Sequence, residues 1–104
     1  MVEAPTQEEV EISRTRLPRG SEVLGTVEMM LGGDKLRVKC NDGNTRICRI
    51  PGKLRKRVWI RVGDLVLIEP WVTQSNERAD VIFRYTQTQA NWLKRKNFIK
   101  VGTK

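Results

Sequence analysis

Ten lysine and arginine side chains fall within residues 35–61 of this 104-residue chain, and Asp42 is the only acid among them. Ten positive charges less one negative give that window +9, whereas the whole chain carries +8. The charge is therefore concentrated in one quarter of the sequence. A small domain that keeps such a self-repelling patch usually has a polyanionic partner, whose counterions the patch displaces on binding. The chemistry indicated is contact with phosphate groups, and nucleic acid is the first candidate partner.

The composition argues against catalysis. Histidine is absent and the chain has only two cysteines, Cys40 and Cys48. The usual general base and the usual partner of a nucleophile are therefore missing, and two thiolates would leave a tetrahedral zinc site half filled. No phosphate-loop pattern surrounds the glycines. We expect no enzyme activity, no metal and no cofactor; a hydrolase or transferase that works through carboxylates is the alternative from the enzyme class.

The two cysteines flank a hairpin and could come close across it. We interpret them as reduced core thiols of a cytoplasmic protein, because two cysteines are too few for a secreted disulfide framework. The sequence shows no signal peptide and no apolar run long enough to cross a membrane.

Short strands must position the basic residues. Basic and apolar residues alternate strictly over residues 35–40, and this alternation predicts an inward apolar face and an outward face of three cations, Lys35, Arg37 and Lys39. Glycine-rich and Asn-Asp-Gly turns on either side predict hairpins. The other predicted strands span residues 23–31, 45–50, 65–70 and 80–85, and residues 53–57 are predicted to form a loop or a single helical turn.

The two ends of the chain differ from the middle. Thr86 and Gln89 have the spacing of a capping box, which predicts a helix that runs to about Asn97. Residues 1–20 contain four glutamates followed by three arginines, with two prolines and no apolar period, so they are predicted to be a flexible tail. The expected organisation is a tail over residues 1–20, a barrel over 21–86, and a helix with a short tail over 87–104.

Five short strands with hairpins between the first three, and a longer connection before the fourth, are typical of a small closed barrel. We predict an all-β fold: a five-stranded oligonucleotide-binding (OB-fold, S1-like) barrel with a C-terminal α-helix and a flexible N-terminal tail. An SH3-like barrel is the alternative.

The segment RIPGKLRKRVWIRVGD at residues 49–64 resembles the translation initiation factor 1A family. The upstream LGTVEMMLGGDKLRVKCNDG and the later ADVIFRYT are similar to that family in order and spacing, so the resemblance covers roughly residues 22–93. The C-terminal helix and the basic chain end, which includes Lys100 and Lys104, are most similar to the archaeal branch.

The resemblance implies a non-catalytic OB-fold protein that occupies the aminoacyl site of the small ribosomal subunit and contacts its ribosomal RNA. It would help to place initiator tRNA and other initiation factors, as a monomer when free and with no membrane partner. The family positions implied to face RNA are Lys53, Arg55, Lys56, Arg57, Trp59 and Arg61, with Arg46 close by.

The strand pattern adds further candidates for RNA contact, namely Arg37, Lys39 and Arg84. Trp59 is interpreted either as a platform for an unpaired base or as a plug at the end of the barrel. The outward strand face carries cations where many single-strand binders carry aromatic residues, which suits recognition of phosphates and shape. A general RNA chaperone with the same barrel is the alternative function.

Overall fold

A computed structural model describes Ala4 and residues 6–98 of the chain. The predicted tail residues 1–3 and 5 and the basic chain end, residues 99–104, lie outside the described residues. The helices and strands, in chain order, are α1 (Gln7–Ser13), β1 (Val23–Gly32), β2 (Lys35–Cys40), β3 (Thr45–Arg49), α2 (Gly52–Arg55), β4 (Leu65–Pro70), β5 (Arg78–Arg84) and α3 (Gln87–Arg95).

The five strands close into a barrel in the order β1-β2-β3-β5-β4, and β1 pairs with β4 to complete the ring. Neighbouring strands are antiparallel except β3 and β5, which run parallel through the pairs Ile47 with Arg78 and Arg49 with Asp80. This topology confirms the five-stranded barrel with a C-terminal helix. No described helix has both the length and the apolar character needed to cross a bilayer.

Two apolar clusters hold the fold together. The first fills the barrel, where alternate residues of each strand point inward, and it includes Val27, Leu36, Val38, Cys48, Val66, Ile68 and Val81. The second joins the outer wall of the barrel to α3, and it comprises Leu24, Leu65, Leu67, Tyr85, Ala90 and Leu93. Strands β1 and β4 thus have one face in the barrel interior and the other face against α3.

Helix α3 begins and ends at identifiable signals. Thr86 caps the first turn, and the reciprocal capping box with Gln89 is present as predicted. The helix ends before the expected Asn97 because that residue has a φ of 63°, a left-handed conformation. The amide of Phe98 donates to the Leu93 carbonyl at 3.0 Å and that of Asn97 to Lys94 at 3.1 Å, which is the Schellman pattern.

No helix was predicted within residues 1–20, but Gln7–Ser13 form α1. A signal for this helix is present in the sequence, because Thr6 and Glu9 have the spacing of a capping box and both of its hydrogen bonds form. The helix packs against α3, which lies more than 70 residues later in the chain. The flexibility of this segment stays a prediction.

Cys40 and Cys48 are both buried and free, which confirms that they are not disulfide-bonded. Burial raises the pKa of the Cys48 thiol to about 12 and also raises that of Cys40. Both side chains therefore act as small apolar residues of the barrel interior.

Arg46 is predicted from the family resemblance to lie near RNA, but the structure places it inside, with 2% of its surface exposed. It occupies an inward position of β3, where alternation gives it the same side as Cys48. Its guanidinium donates to both carboxylate oxygens of Asp42, at 3.1 and 2.9 Å, and its Nε donates to the Ser75 carbonyl at 2.6 Å. Arg46 therefore ties the β2–β3 turn to the β4–β5 loop at one end of the barrel, and its charge is satisfied internally.

We expect Gly25→Ala to destabilise the protein by about 1–3 kcal/mol or more, as overpacking of a core does. A Cβ at this position would lie 2.5 Å from Cγ1 of Val38 and 3.1 Å from the Lys39 carbonyl oxygen. Gly52→Ala is the matched control, since its Cβ would meet no atom within 4 Å. Urea unfolding curves measure both; equal free energies of unfolding for the two variants would contradict the close approach of β1 to β2.

We expect Asp42→Asn to lower the free energy of unfolding at neutral pH by about 1–3 kcal/mol, toward the lower end because Asp42 is partly exposed. The hydrogen bonds from Arg46 hold the pKa of Asp42 below its usual range. A carboxylate whose pKa falls on folding stabilises the folded state only while it is ionised. The difference between wild type and variant should therefore be complete at neutral pH and disappear as the pH falls below about 4. Glu69→Gln, on the outside of β4, is the control; a difference that persists undiminished in acid would refute the assignment.

Candidate nucleic-acid interface

The densest positive charge lies on the connector between β3 and β4, residues 51–64. Pro51 starts its single helical turn, α2, and the Pro51 carbonyl accepts from the amides of Leu54 and Arg55, each at 3.0 Å. Leu54 and Ile60 are partly buried and pack on the apolar cluster inside the barrel. The basic residues between them are consequently turned toward solvent.

The far end of the connector is pinned to β1. The Gly63 amide donates to the Val27 carbonyl at 2.9 Å, and the Val27 amide donates to the Asp64 carbonyl at 3.0 Å. The Asp64 carboxylate also accepts from the Arg61 amide at 2.9 Å. The connector is therefore held at both ends and through its apolar side chains, which limits the entropy lost when its cations meet a ligand.

The exposed cations of the connector are available for a partner. These cations are Lys53, Arg55, Lys56, Arg57 and Arg61. None of their side chains forms an ion pair or a hydrogen bond with another described residue. Unpaired cations gathered on a rigid segment are suited to displacing counterions from a polyphosphate backbone.

Strand β2 carries the predicted outward face of basic residues. Lys39 is exposed and unpaired within the described chain, whereas Arg37 is half-buried and lies 3.4 Å from the Glu28 carboxylate. Lys35 pairs with Asp34 at 3.0 Å. Of the ten basic residues in the window, the four with acid partners are Lys35, Arg37, Arg46 and Arg49. The available charge is therefore weighted toward the connector.

Trp59 is 75% exposed in the middle of this cationic surface. The interpretation of Trp59 as a plug at the barrel end is therefore wrong, and its ring is open to stack on a base. Trp71 is half-buried, and its Nε1 donates to the Asp80 carboxylate at 3.0 Å, as a packing residue would.

Arg84 connects the barrel wall to the connector. It is half-buried, and its Nη1 donates to the Trp59 carbonyl at 3.2 Å, while its Nε is buried without a hydrogen-bond partner among the described residues. Arg84 therefore positions the main chain that carries Trp59, and its predicted contact with RNA stays a prediction.

The connector carries six of the ten predicted site residues, and Arg84 contacts it. Arg37 and Lys39 lie on β2, and Arg46 is buried. Which of the ten contact RNA stays a prediction. The pairing of Arg46 with Asp42 had a signal in the sequence, since a turn acid four residues before a strand arginine can fold back on it. Glu28, the partner of Arg37, lies on the neighbouring strand of the same hairpin, beside a register shift between Val27 and Met29. Asp80, the partner of Arg49, lies 31 residues away on β5. Both pairs could be found only from the strand register.

Comparisons with known proteins agree with this geometry. The family model described as "Translation initiation factor 1A / IF-1" matches residues 9–104. Translation initiation factor 1A of Methanothermobacter thermautotrophicus is 53% identical over 91 residues, which are 88% of this chain and 92% of that protein. The same factor of Pyrococcus abyssi is 56% identical over 89 residues, 86% of this chain and 79% of that protein.

Among solved structures, the chain is similar to the solution structure of a translation initiation factor from the Wolbachia endosymbiont of Brugia malayi. The TM-score is 0.51 at 31% identity, and the match covers 66% of this chain and 82% of that one. All three relatives are translation initiation factors of a non-enzymatic family. The two relatives found by sequence, from Methanothermobacter and Pyrococcus, are archaeal.

The barrel and its C-terminal helix, the cationic connector and the extent of these matches lead to one conclusion: the chain belongs to the translation initiation factor 1A / IF-1 family.

Proposed function

We propose that this protein binds the aminoacyl site of the small ribosomal subunit through ribosomal RNA and promotes placement of initiator tRNA and assembly of the initiation complex. The observation that supports this proposal most strongly is the composition of the connector. It carries five unpaired cations and one exposed tryptophan, and it is hydrogen-bonded to the barrel. Family membership supports initiation as the process. The protein would act in the cytoplasm, as a monomer when free.

The balance of cations and aromatics favours a folded RNA site over a random single strand. Proteins that bind single strands generally rely on several stacked bases, whereas Trp59 is the exposed aromatic of the connector. Phosphate contacts fix register on a shaped surface, so the position of each charge should matter as well as the total. A general RNA chaperone would be sensitive mainly to the total charge.

Reversal of Arg55 and Lys56 to glutamate should reduce binding to isolated small subunits by at least about 100-fold, because unpaired connector cations become anions facing phosphates. Reversal of Arg95 and Lys96, exposed near the end of α3, changes the net charge equally and should cost less than about tenfold. Co-sedimentation with small subunits measures both, and chemical probing of decoding-site bases tests the location. Equal losses of subunit affinity for the two double variants would contradict this proposal and favour a general RNA chaperone.

Trp59→Ala should leave the free energy of unfolding within about 0.5 kcal/mol of wild type, since the ring is mostly exposed. It should weaken subunit binding by about 1–3 kcal/mol because a stacked base loses its platform. The Arg84 hydrogen bond goes to the Trp59 main-chain carbonyl, so it survives the substitution. Trp59→Phe is the matched control and should retain part of the affinity; full affinity in Trp59→Ala would exclude stacking.

A further inference from the structure

An open groove lies between the helical turn α2 and strand β5. Its volume is about 340 Å³, at the lower end of the range for ligand sites in proteins. Four of its six lining side chains are aliphatic and two are cationic. The lining residues are Pro51, Lys53, Leu54, Arg57, Val81 and Ile82. Both cations are exposed, so the groove has an apolar floor and a positively charged rim.

The groove exists because the pairing of β3 with β5 stops early. The two strands pair only as far as Arg49 and Asp80. Pro51, two residues further along, has no amide hydrogen with which to extend the pairing, and the chain turns there into α2. Beyond Asp80, the side of β5 that faced β3 is therefore left open toward α2. An open strand edge with apolar side chains beside it is a typical site for an extended peptide.

The cations of the connector divide between two sides of α2. Lys53 and Arg57 are four residues apart, and both line the groove. Arg55 does not line it and lies toward the β1–β2 turn, which contains Asp34. The pKa of Asp34 is lowered chiefly by the hydrogen bond from Lys35 and in smaller part by the charge of Arg55. The groove thus has its own pair of cations, separate from Arg55.

The composition of the groove favours a peptide over RNA as its occupant. A base buried against aliphatic side chains would leave its polar edge without hydrogen-bond partners, whereas a leucine or isoleucine side chain loses none. No acidic side chain among the described residues lines the groove, and neither Lys53 nor Arg57 forms an ion pair within the described chain. Charge complementarity therefore requires acidic residues beside the aliphatic ones.

We infer that this groove binds an extended segment of a partner protein, in which aliphatic residues are flanked by aspartates or glutamates. The aliphatic side chains enter between Leu54 and Ile82, and the carboxylates pair with Lys53 and Arg57. A groove of this size takes only a few side chains, far less than the roughly 800 Å² that each partner buries in a stable complex. The contact is consequently weak by itself. This binding goes beyond the proposed function and does not depend on RNA.

The test uses the full chain and a short fluorescent peptide in which two leucines alternate with aspartates, with fluorescence anisotropy as the readout. The wild-type protein should bind this peptide. Replacing the leucines of the peptide by serine, or its aspartates by lysine, should weaken binding by at least about tenfold, because the first change removes the apolar contact and the second reverses the charge. No binding of the original peptide would overturn the inference.

A pair of charge reversals tests the rim. Lys53→Glu with Arg57→Glu should weaken peptide binding by at least about tenfold, because the rim then repels the carboxylates. Arg55→Glu with Lys56→Glu is the matched control: it changes the net charge equally, but neither side chain lines the groove, so the loss should stay below about threefold. All four side chains are exposed, so both double variants should fold. Equal losses of peptide affinity would refute the inference.

Two competing occupants are tested directly. An equimolar short single-stranded RNA should not displace the peptide from the Arg55→Glu, Lys56→Glu variant; displacement would assign the groove to RNA. Sedimentation of the wild-type protein alone should show a monomer. A dimer that Lys53→Glu with Arg57→Glu dissociates would instead assign the groove to a second copy of the chain.

NMR locates the bound peptide on the wild-type protein. The amide signals of residues 51–57 and 81–84 should shift when the peptide is added, while those of residues 35–40 stay in place. Shifts confined to residues 35–40 would overturn the inference. A wild-type protein that binds small subunits but not the peptide contradicts only the groove, and one that binds the peptide but not small subunits contradicts only the proposed function.

Discussion

Closure of the barrel is the constraint on which the rest of the structure depends. Because β1 pairs with both β2 and β4, and β5 pairs with both β3 and β4, every strand has one face that water cannot reach. Burial of that face supplies the main driving force, and it assigns the odd residues of β2 to the outside. The absence of a side chain at Gly25 lets β1 approach Val38 and Lys39 closely enough for the ring to close.

The barrel also makes a binding surface out of a segment that would otherwise be a charged loop. Leu54 and Ile60 are drawn to the apolar interior, and Gly63 is bonded to Val27 on β1. Mutually repelling cations are thereby held at fixed positions, and folding has already met the cost of bringing them together. Arg84 adds a brace from β5 to the Trp59 carbonyl. The connector is held in place because it is attached to the closed barrel by packing and by hydrogen bonds.

The second apolar cluster joins the barrel to α3. Tyr85 contributes its ring to the contact between the barrel and α3, and its hydroxyl donates to the Arg16 carbonyl. Burial raises the pKa of that hydroxyl, so it remains a donor over the physiological range. Gln89 similarly caps α3 through its oxygen and holds Glu11 through its nitrogen. Two residues thus hold the segment around Glu11 and Arg16 against the barrel and α3.

The sequence by itself determined the strands, the hairpins, the start of α3 and the location of the charge, because alternation, turn residues and capping boxes are local signals that burial reinforces. The tertiary structure decided which charges are available. Arg46 and Arg55 are both arginines, but their surroundings differ. Arg46 occupies an inward position of β3 and is covered by the β4–β5 loop, whereas Arg55 lies on a helical turn that faces solvent. It also decided that Trp59 is exposed and that residues 7–13 are helical, since α1 forms against α3 and a seven-residue helix is not stable alone. The spacing of Asp42 and Arg46 and the capping box of Thr6 and Glu9 are local signals, but the contacts that complete these features, with Ser75 and with α3, come from residues distant in sequence.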